Sequence, residues 1–373
     1  MVFPKYIHCG TGLFVLAAAA ACASGGGETI EARAAAPMES TTASTSMLAT
    51  PDPQMQAVLT QLAALSPKPI PQLSAAEARK QPTPADAVKS LLKKQGKSTA
   101  PEAVGSVANR TINGKGGPIP VRIYTPKGAG PFPVVVYYHG GGWVIADLDT
   151  YDASPRAIAN LANAVVVSSH YRQGPEHKFP AAHEDAFTAY RWVLANTEAL
   201  KADSTKVAVM GESAGGNLAV AVAMMARDSS MQVPAYQVLV YPIAGSDTNT
   251  PSYQENSAAK PLNKPMMQWF FKNYLRTPED GKSPLIDLVH ADLNRLPPAT
   301  VITAGIDPLR SEGKALADAL KSAGAQVDYK NYEGSAHEFF GMSAVLDDAK
   351  AAQQQAAAGL KKGFGMKSQA AQR

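Results

Sequence analysis

A serine flanked by glycines is the pattern in this 373-residue chain best suited to chemistry. Gly211-Glu212-Ser213-Ala214-Gly215 follows an apolar run that predicts a strand, and a helical pattern begins directly after it. A serine on such a strand-to-helix turn projects its hydroxyl from the sheet, and small neighbouring residues make room for the tight turn. The motif therefore predicts a nucleophilic Ser213. The alternative, a purely structural turn, is disfavoured by the elements on either side.

A second glycine pattern, His139-Gly140-Gly141-Gly142-Trp143, directly follows the predicted strand over residues 133–138. Acyl transfer needs hydrogen-bond donors aimed at a developing oxyanion, and glycines let backbone N–H groups approach it without obstruction. A flexible turn or a phosphate loop are the alternatives, but the run lacks the lysine and Ser/Thr of the Walker pattern. We interpret the run as part of an oxyanion hole, with His139 holding the loop.

A serine hydroxyl is a weak nucleophile and needs a general base within hydrogen-bond reach. Where a nucleophilic serine lies on such a strand-to-helix turn, the acid and then the histidine follow it in the chain, and only His290 and His337 follow Ser213. His290 lies in a connection, whereas His337 follows the last predicted strand and reaches the sheet edge where the base is needed. The sequence therefore predicts His337 as the base.

The third member must orient the imidazole and stabilise its cation. Asp307 comes just after the predicted strand over residues 299–304, at the same edge of the sheet. Asp292 precedes that strand and belongs to the opposite end, and Glu333 ends the following strand. Asp307 is the predicted acid, with a simple turn residue before Pro308 as the alternative.

Together these motifs resemble the hormone-sensitive-lipase-like group of bacterial carboxylesterases, of the α/β-hydrolase fold-3 type. The resemblance runs in family order over roughly residues 51–360 and includes the following segments: 139–143, Tyr171-Arg172, 175–177, 179–182, 211–216, 307–310 and 337–339. It implies a capped α/β-hydrolase fold and hydrolysis of short-chain carboxylic esters without cofactor. No metal site is expected either, because His170, His177 and His183 lack metal-ligand spacing on one face. The resemblance also implies that the backbone N–H groups of Gly141, Gly142 and Ala214 form the oxyanion hole.

Five positions depart from the usual family pattern. Glu212 stands where aspartate is commonest, His170 replaces a frequent aspartate, Gln173-Gly174 replaces Leu-Ala, and Ser311 replaces an acid. The departures bear on substrate preference and local hydrogen bonding. They do not touch the predicted triad. Because the triad does not distinguish the rest of the substrate, related reactions on lactones, amides or acetylated sugars stay open. A catalytically dead binding lipoprotein is the alternative from another class of function.

The elements that must position these residues alternate between strands and helices. Strands are predicted near residues 104–112, 119–124, 133–138, 164–169, 206–210, 236–241, 299–304 and 326–332, and helices near residues 153–163, 181–196, 214–227, 312–323 and 344–361. Several strands are apolar on both faces, which is typical of a parallel sheet covered by helices. The first two strands lack an intervening helix and predict an antiparallel start. The fold class is therefore α/β, with a mostly parallel eight-stranded sheet.

Two segments outside this alternation predict a helical cap over the sheet edge: residues 51–100, and an insertion after the sixth strand, residues 245–290. Trp143, Trp269 and Phe270 are candidates for lining the substrate pocket or for ordinary core packing. The cap and the sheet together form one predicted hydrolase domain, residues 51–373.

The N-terminus is typical of an export signal. Residues 1–23 contain Lys5, an apolar stretch too short to span a bilayer, and small residues before Cys22. A lipoprotein signal ending at Ala21, with lipidation of Cys22, competes with ordinary cleavage after residue 23. Residues 24–50 predict a disordered linker. We expect an exported bacterial protein, periplasmic or anchored to the outer membrane through lipidated Cys22.

Charge and cysteine content exclude several classes. The net charge of +4 is spread over 35 basic and 31 acidic residues without a concentrated basic face, so nucleic-acid binding is not expected. The only cysteines are Cys9 and Cys22, so the predicted domain contains neither an internal disulfide nor a cysteine-based zinc site. The expected partner is a small ester substrate.

Overall fold

Residues 50–366 are described by the computed structural model of the chain. The predicted signal peptide with Cys22, and the predicted linker except its last residue, lie outside the described residues, as do residues 367–373. Within residues 50–366, no helix combines the length and apolar character that a membrane crossing requires.

Eight strands form one sheet in the order β1-β2-β4-β3-β5-β6-β7-β8. Their bounds are Ser106–Gly114 (β1), Gly117–Thr125 (β2), Phe132–Tyr138 (β3), Val165–Ser169 (β4), Ala202–Glu212 (β5), Gln237–Val240 (β6), Ala299–Ile306 (β7) and Val327–Ala336 (β8). β2 is antiparallel to both β1 and β4, and every other pairing is parallel. The predicted fold class is confirmed, including the antiparallel start.

The central strands are buried on both faces, as their unbroken apolar runs predict. Every residue of β3 and β4 is buried. Alternate residues point to opposite faces: Val134 and Val136 join one hydrophobic cluster, and Val135 and Tyr137 join another. Each face therefore needs its own layer of helices.

Ten α-helices accompany the sheet in the described part of the chain. They are Pro53–Ala64 (α1), Ala75–Ala78 (α2), Pro84–Lys94 (α3), Ala153–Ala162 (α4), Ala181–Ala195 (α5), Ala214–Asp228 (α6), Pro251–Glu255 (α7), Lys264–Tyr274 (α8), Arg310–Ser322 (α9) and Asp347–Gly363 (α10). α5, α6 and α9 cover one face, and α4 and α10 cover the other. The predicted helices are present with small shifts at their ends, and the short α2 and α7 were not predicted.

The helices before β1 have clear local start signals. Asp52 caps α1 by accepting the Met55 N–H at 2.7 Å. α3 begins with Pro84 after a Thr83–Asp86 capping box, in which each side chain accepts the other residue's backbone N–H. These caps satisfy donors that a helix start leaves free, and so fix where each helix begins.

Parallel strands carry their C-terminal ends to one edge of the sheet, and this edge collects the candidate catalytic residues. Ser213 follows β5, Asp307 follows β7, and His337 follows β8. β5, β6, β7 and β8 are consecutive in the sheet, so only β6 separates the serine strand from the aspartate strand. The topology alone brings three residues distant in sequence to one place.

Candidate active site

The turn that carries Ser213 is strained. Ser213 has φ +56° and ψ −119°, between the end of β5 and the first residue of α6. A non-glycine residue in this region costs on the order of 1–3 kcal/mol, and the surrounding structure must hold it there. The Ser213 N–H donates to the Val240 carbonyl at 2.9 Å, and the Ser213 carbonyl accepts the Ile243 N–H at 3.2 Å. β6 and the loop after it therefore hold the turn in place.

The glycines of the motif are required by close approach. A Cβ at Gly211 would lie 2.0 Å from the Gly215 carbonyl oxygen, and a Cβ at Gly215 would lie 1.9 Å from the Tyr138 carbonyl oxygen. Both contacts are with backbone, which cannot move aside as a flexible side chain can. The glycine spacing in the sequence thus reflects the packing of α6 against the ends of β3 and β5.

The structure brings Ser213, His337 and Asp307 into one hydrogen-bonded chain. Nε2 of His337 lies 3.0 Å from the Ser213 hydroxyl, and Nδ1 lies 2.7 Å from Oδ2 of Asp307. All three residues are buried, with at most 3% of the surface of each exposed. Oδ1 of Asp307 also accepts the Leu309 N–H at 2.9 Å, which fixes the carboxylate plane.

The electrostatics of the imidazole suit proton transfer. Burial by itself lowers the pKa of His337, but the charge and hydrogen bond of Asp307, with the charges of Glu338 and Glu212, raise it above 6.5 overall. A raised pKa means that the site stabilises the imidazolium form, which arises when the histidine accepts a proton. Asp307, which orients the ring, therefore also makes it a stronger base.

The alternative candidates for the base and the acid lie away from Ser213. The side chain of His290 is 79% exposed, and its Nδ1 lies 2.8 Å from Asp287. Asp292 is exposed and accepts the Asn294 N–H, and Glu333 is exposed on β8. None of the three joins the Ser213 hydrogen-bond chain.

The glycine loop after β3 is held by aromatic side chains. His139 is fully buried, and its Nδ1 lies 2.8 Å from the Gly140 carbonyl. The Tyr171 hydroxyl donates to the His139 carbonyl at 2.8 Å and to the Gly140 carbonyl at 3.1 Å. Burial, followed by the neighbouring His170, lowers the pKa of His139 to about 3, so the ring stays neutral. These contacts fit the loop-holding role that the sequence predicts for His139.

The predicted oxyanion-hole residues lie beside the serine. Gly141 and Gly142 have φ of +93° and +58°, and both line the same cavity as Ser213 and His337. Ala214 is the first residue of α6, so its N–H has no acceptor within its own helix. The start of α6 also places the positive end of the helix dipole next to Ser213.

A buried carboxyl group lies behind the nucleophile. Glu212 accepts a hydrogen bond from the Tyr137 hydroxyl at 2.5 Å and a second, short one from the Tyr241 hydroxyl. Burial raises the pKa of Glu212 to about 7. Tyr241 also packs on the His337 ring, with 4.5 Å between ring centroids. Glu212 therefore helps to position the tyrosine that packs against the His337 imidazole.

The cavity above these residues has a volume of about 810 Å³. Residues from both predicted cap segments line it, together with the glycine loop, Ser213 and His337. The first segment contributes Leu59, Leu62, Ile70 and Arg79, and the second contributes Leu262, Met266 and Phe270. The side of the cavity away from the sheet is therefore mainly apolar.

Of the three aromatic residues proposed for the pocket, only Phe270 lines this cavity. Trp143 is fully buried and stacks on Tyr274, with 4.8 Å between ring centroids, and Trp269 donates its indole N–H to the Leu73 carbonyl. Both tryptophans serve core packing. Phe270 lies so close to Gly142 that a Cβ there would be 2.2 Å from the phenyl ring.

Sequence reasoning missed Glu338 and Tyr151 as site residues. Both line the cavity, and the Tyr151 hydroxyl donates to Oε1 of Glu338 at 2.6 Å across 187 residues of sequence. The position of Glu338 directly after His337 was a usable signal, because the residue after a catalytic base lies near the site. Nothing local distinguishes Tyr151.

Within the described residues, no group of three His, Cys, Asp or Glu side chains is arranged to hold a metal ion.

An eight-stranded α/β sheet with a serine turn, a buried Ser-His-Asp hydrogen-bond chain and a glycine loop defines the class of the α/β hydrolases. The family model for the α/β-hydrolase fold matches residues 135–341. The chain belongs to this family, in its hormone-sensitive-lipase-like branch, and it is a carboxylic ester hydrolase.

Characterised relatives support this assignment. The chain is 39% identical to carboxylesterase NlhH of Mycobacterium tuberculosis over 249 residues, which are 65% of this chain and 78% of the relative. It is 32% identical to an ethyl acetate hydrolase of Pseudomonas putida over 259 residues, which are 68% and 81% of the two chains. An esterase structure from Pyrobaculum calidifontis matches with a TM-score of 0.76 and 40% identity, covering 84% of this chain and 98% of that one.

Proposed function

We propose that this esterase hydrolyses short-chain carboxylic esters through an acyl-enzyme on Ser213. The observation that carries the proposal is the buried chain from the Ser213 hydroxyl to Nε2 of His337 at 3.0 Å and from Nδ1 to Asp307 at 2.7 Å. In this proposal Ser213 is the nucleophile, His337 the general base and acid, and Asp307 the group that orients the imidazole. The N–H groups of Gly141, Gly142 and Ala214 form the oxyanion hole.

The reaction proceeds in two acyl transfers. His337 takes the Ser213 proton as the oxygen attacks the ester carbonyl, and the tetrahedral oxyanion accepts hydrogen bonds from the loop and the α6 start. The bond to the alcohol breaks as His337 gives its proton to the leaving oxygen. Water then attacks the acyl-enzyme, His337 takes its proton and returns it to Ser213, and the carboxylic acid leaves.

The family resemblance supports short acyl chains, and one relative is named as an ethyl acetate hydrolase. Lactones, amides and acetylated sugars share the same mechanism, because the triad acts on the carbonyl and not on the rest of the substrate. The intact Ser213–His337–Asp307 chain argues against a dead binding protein. A rate series over p-nitrophenyl esters of increasing acyl length measures the preference.

Labelling by a fluorophosphonate tests the nucleophile. We expect the wild-type protein to be labelled on Ser213 and inactivated, and Ser213→Ala to be neither labelled nor active. Ser229→Ala is the matched control, because Ser229 follows the other end of α6 and is exposed. Covalent labelling that persists in Ser213→Ala contradicts the proposal, and turnover by that variant does so as well.

We also propose that the chain is exported and anchored through lipidated Cys22, in the periplasm or at the outer membrane. The support is the sequence pattern of residues 1–23, with small residues before a single cysteine. Mass spectrometry of the mature N-terminus separates lipid-modified Cys22 from ordinary cleavage after residue 23. Cys22→Ser is expected to release the protein from the membrane fraction, and an unmodified mature N-terminus in the wild type contradicts the proposal.

A further inference from the structure

The catalytic imidazole has a second carboxyl group beside it, on the side that faces the cavity. Oε1 of Glu338 lies 3.9 Å from Nε2 of His337, the nitrogen that faces the Ser213 hydroxyl. The Glu338 side chain is 22% exposed, and the residue lines the cavity. Its backbone is in the left-handed region at φ +71°, and its Oε1 accepts the Tyr151 hydroxyl. The carboxyl group is thus fixed in place and still accessible to a ligand.

The position of Nε2 defines where the alcohol of the ester must lie. In the proposed mechanism this nitrogen gives its proton to the leaving oxygen, so that oxygen approaches to about 3 Å. Oxygens on adjacent carbons of a polyol are themselves separated by about a hydrogen-bond length, ~3 Å. A hydroxyl next to the ester bond can therefore reach Glu338 while the ester oxygen faces His337.

His170 also lines the cavity and offers a second hydrogen-bond acceptor. Nδ1 of His139 must carry its proton, because it faces the Gly140 carbonyl at 2.8 Å. The neutral ring then accepts at Nε2, so Nδ1 of His170, 3.1 Å away, must be the donor. This leaves Nε2 of His170, which has no partner among residues 50–366, as an acceptor. Burial lowers the pKa of His170, which favours this neutral state.

The neighbouring donors are already used. Nε2 of Gln173 donates to the carbonyls of Ile145 and Ala146 at 2.8 and 2.9 Å, which leaves its side-chain oxygen. Arg79 makes four hydrogen bonds to protein oxygens, two of them to Glu176. Along the glycine loop, therefore, the side chains present mainly acceptors to a ligand.

We propose that Glu338, with His170 further along the wall, selects esters whose alcohol part carries free hydroxyl groups next to the ester bond, as in monoesters of polyols. Tyr151 and His139 connect the two acceptors under the glycine loop: Tyr151 donates to Glu338, and its ring centroid lies 5.8 Å from that of His139. The proposal rests on the esterase function proposed above and specifies its substrate class. An alcohol with only methyl groups leaves the acceptors unpaired, which costs binding energy in the transition state.

The test compares 2-hydroxyethyl butanoate with propyl butanoate, which differ only by a hydroxyl in place of a terminal methyl. We expect wild-type kcat/KM to favour the hydroxyethyl ester about tenfold, as a hydrogen bond to a charged acceptor implies. In Glu338→Gly the ratio is expected to fall to about one, and glycine suits the left-handed backbone at this position. Each variant is judged on the ratio of kcat/KM for the hydroxyethyl ester to kcat/KM for the propyl ester. A change in proton transfer that affects both esters equally cancels in this ratio.

Glu333→Ala is the matched control and is expected to keep the wild-type ratio, because Glu333 is an exposed glutamate on β8, the strand that ends just before His337 and Glu338. 1-Glyceryl butanoate adds a second hydroxyl, and His170→Phe is expected to lose the extra preference for it over the hydroxyethyl ester.

A wild-type ratio of one or less overturns the proposal, as does an unchanged ratio in Glu338→Gly. An unchanged glyceryl preference in His170→Phe overturns the role of His170. Failure to cleave either ester would instead contradict the proposed esterase function.

Discussion

Arg79 holds Glu176 through two parallel hydrogen bonds, from Nη1 to Oε1 at 2.8 Å and from Nη2 to Oε2 at 2.7 Å. Arg79 follows α2 in the first predicted cap segment, and Glu176 lies in the loop between β4 and α5. The same guanidinium donates to the carbonyls of Val144 and Gly174. One side chain therefore connects the segment before β1 to both loops that border the cavity.

Replacing Arg79 with alanine is expected to lower the free energy of unfolding by roughly 1–3 kcal/mol, because the Val144 and Gly174 carbonyls lose their donor. Glu176→Ala is expected to cost less, on the order of 0–1 kcal/mol, because the Glu176 side chain is 52% exposed and its ion pair is screened by solvent. Urea unfolding of both variants measures the difference. Equal losses would show that the ion pair, and not the carbonyl contacts, is what stabilises this junction.

Gly215→Ala is expected to destabilise the protein by about 3 kcal/mol or more and to abolish activity. The new methyl would lie 1.9 Å from the Tyr138 carbonyl oxygen, so α6 or β3 must shift. Gly245→Ala is the control, because its nearest contact is 3.8 Å away and its backbone φ is not positive. Thermal unfolding and ester turnover are measured for both. A stable, active Gly215→Ala would mean that the turn tolerates more rearrangement than its contacts imply.

The pH dependence of activity follows from the raised pKa of His337. In the proposed mechanism His337 is the general base and must be neutral, so kcat/KM of the free enzyme is expected to fall as the pH drops through that pKa, which lies above 6.5. The Glu338 charge contributes to the rise, so Glu338→Gln is expected to lower the pKa and move the acid limb of the profile to lower pH. Glu333→Gln serves as the exposed control. If the acid limb of the Glu338→Gln profile stays at the same pH or moves to higher pH, Glu338 does not raise the pKa of His337.

Glu212 is expected to make stability decline with pH. Its pKa is about 7 in the folded protein against an ordinary 4.5, so between these values the folded state holds a proton that the unfolded state has released. The free energy of unfolding therefore falls as the pH rises through this window, by on the order of 3 kcal/mol for this group. Glu212→Gln is expected to flatten that decline, as urea unfolding at about pH 5 and about pH 8 would reveal. An identical slope in the two proteins speaks against a raised pKa.

The fold was largely predictable because its signals are local. Apolar runs such as Val134-Val135-Val136 predict strands buried on both faces, and helical periodicity predicts the helices between them. The serine turn was equally readable, since Gly211 and Gly215 stand where backbone contacts of 2.0 Å and 1.9 Å exclude a Cβ. Chain order and strand ends then indicated Asp307 and His337.

The features of the site that the sequence did not predict depend on contacts between distant segments, which no local pattern encodes. Tyr151 reaches Glu338 across 187 residues, and Arg79 reaches Glu176 across 97. Trp143 looked as suitable for the pocket as Phe270, but only the packed structure shows it stacked on Tyr274. Aromatic side chains satisfy the same hydrophobic requirement in a core or in a cavity wall, so their type does not distinguish the two.

The Ser213–His337–Asp307 chain and the cavity wall opposite it come from separate stretches of sequence. Ser213, Asp307 and His337 follow strands of the sheet, whereas Leu59, Ile70 and Met266 belong to the segments before β1 and after β6. Mutations in those outer segments can therefore widen, narrow or reline the chamber without disturbing the reacting atoms. Such an arrangement lets a lineage change the shape of its substrate chamber through a few substitutions while the Ser213–His337–Asp307 chain is inherited intact.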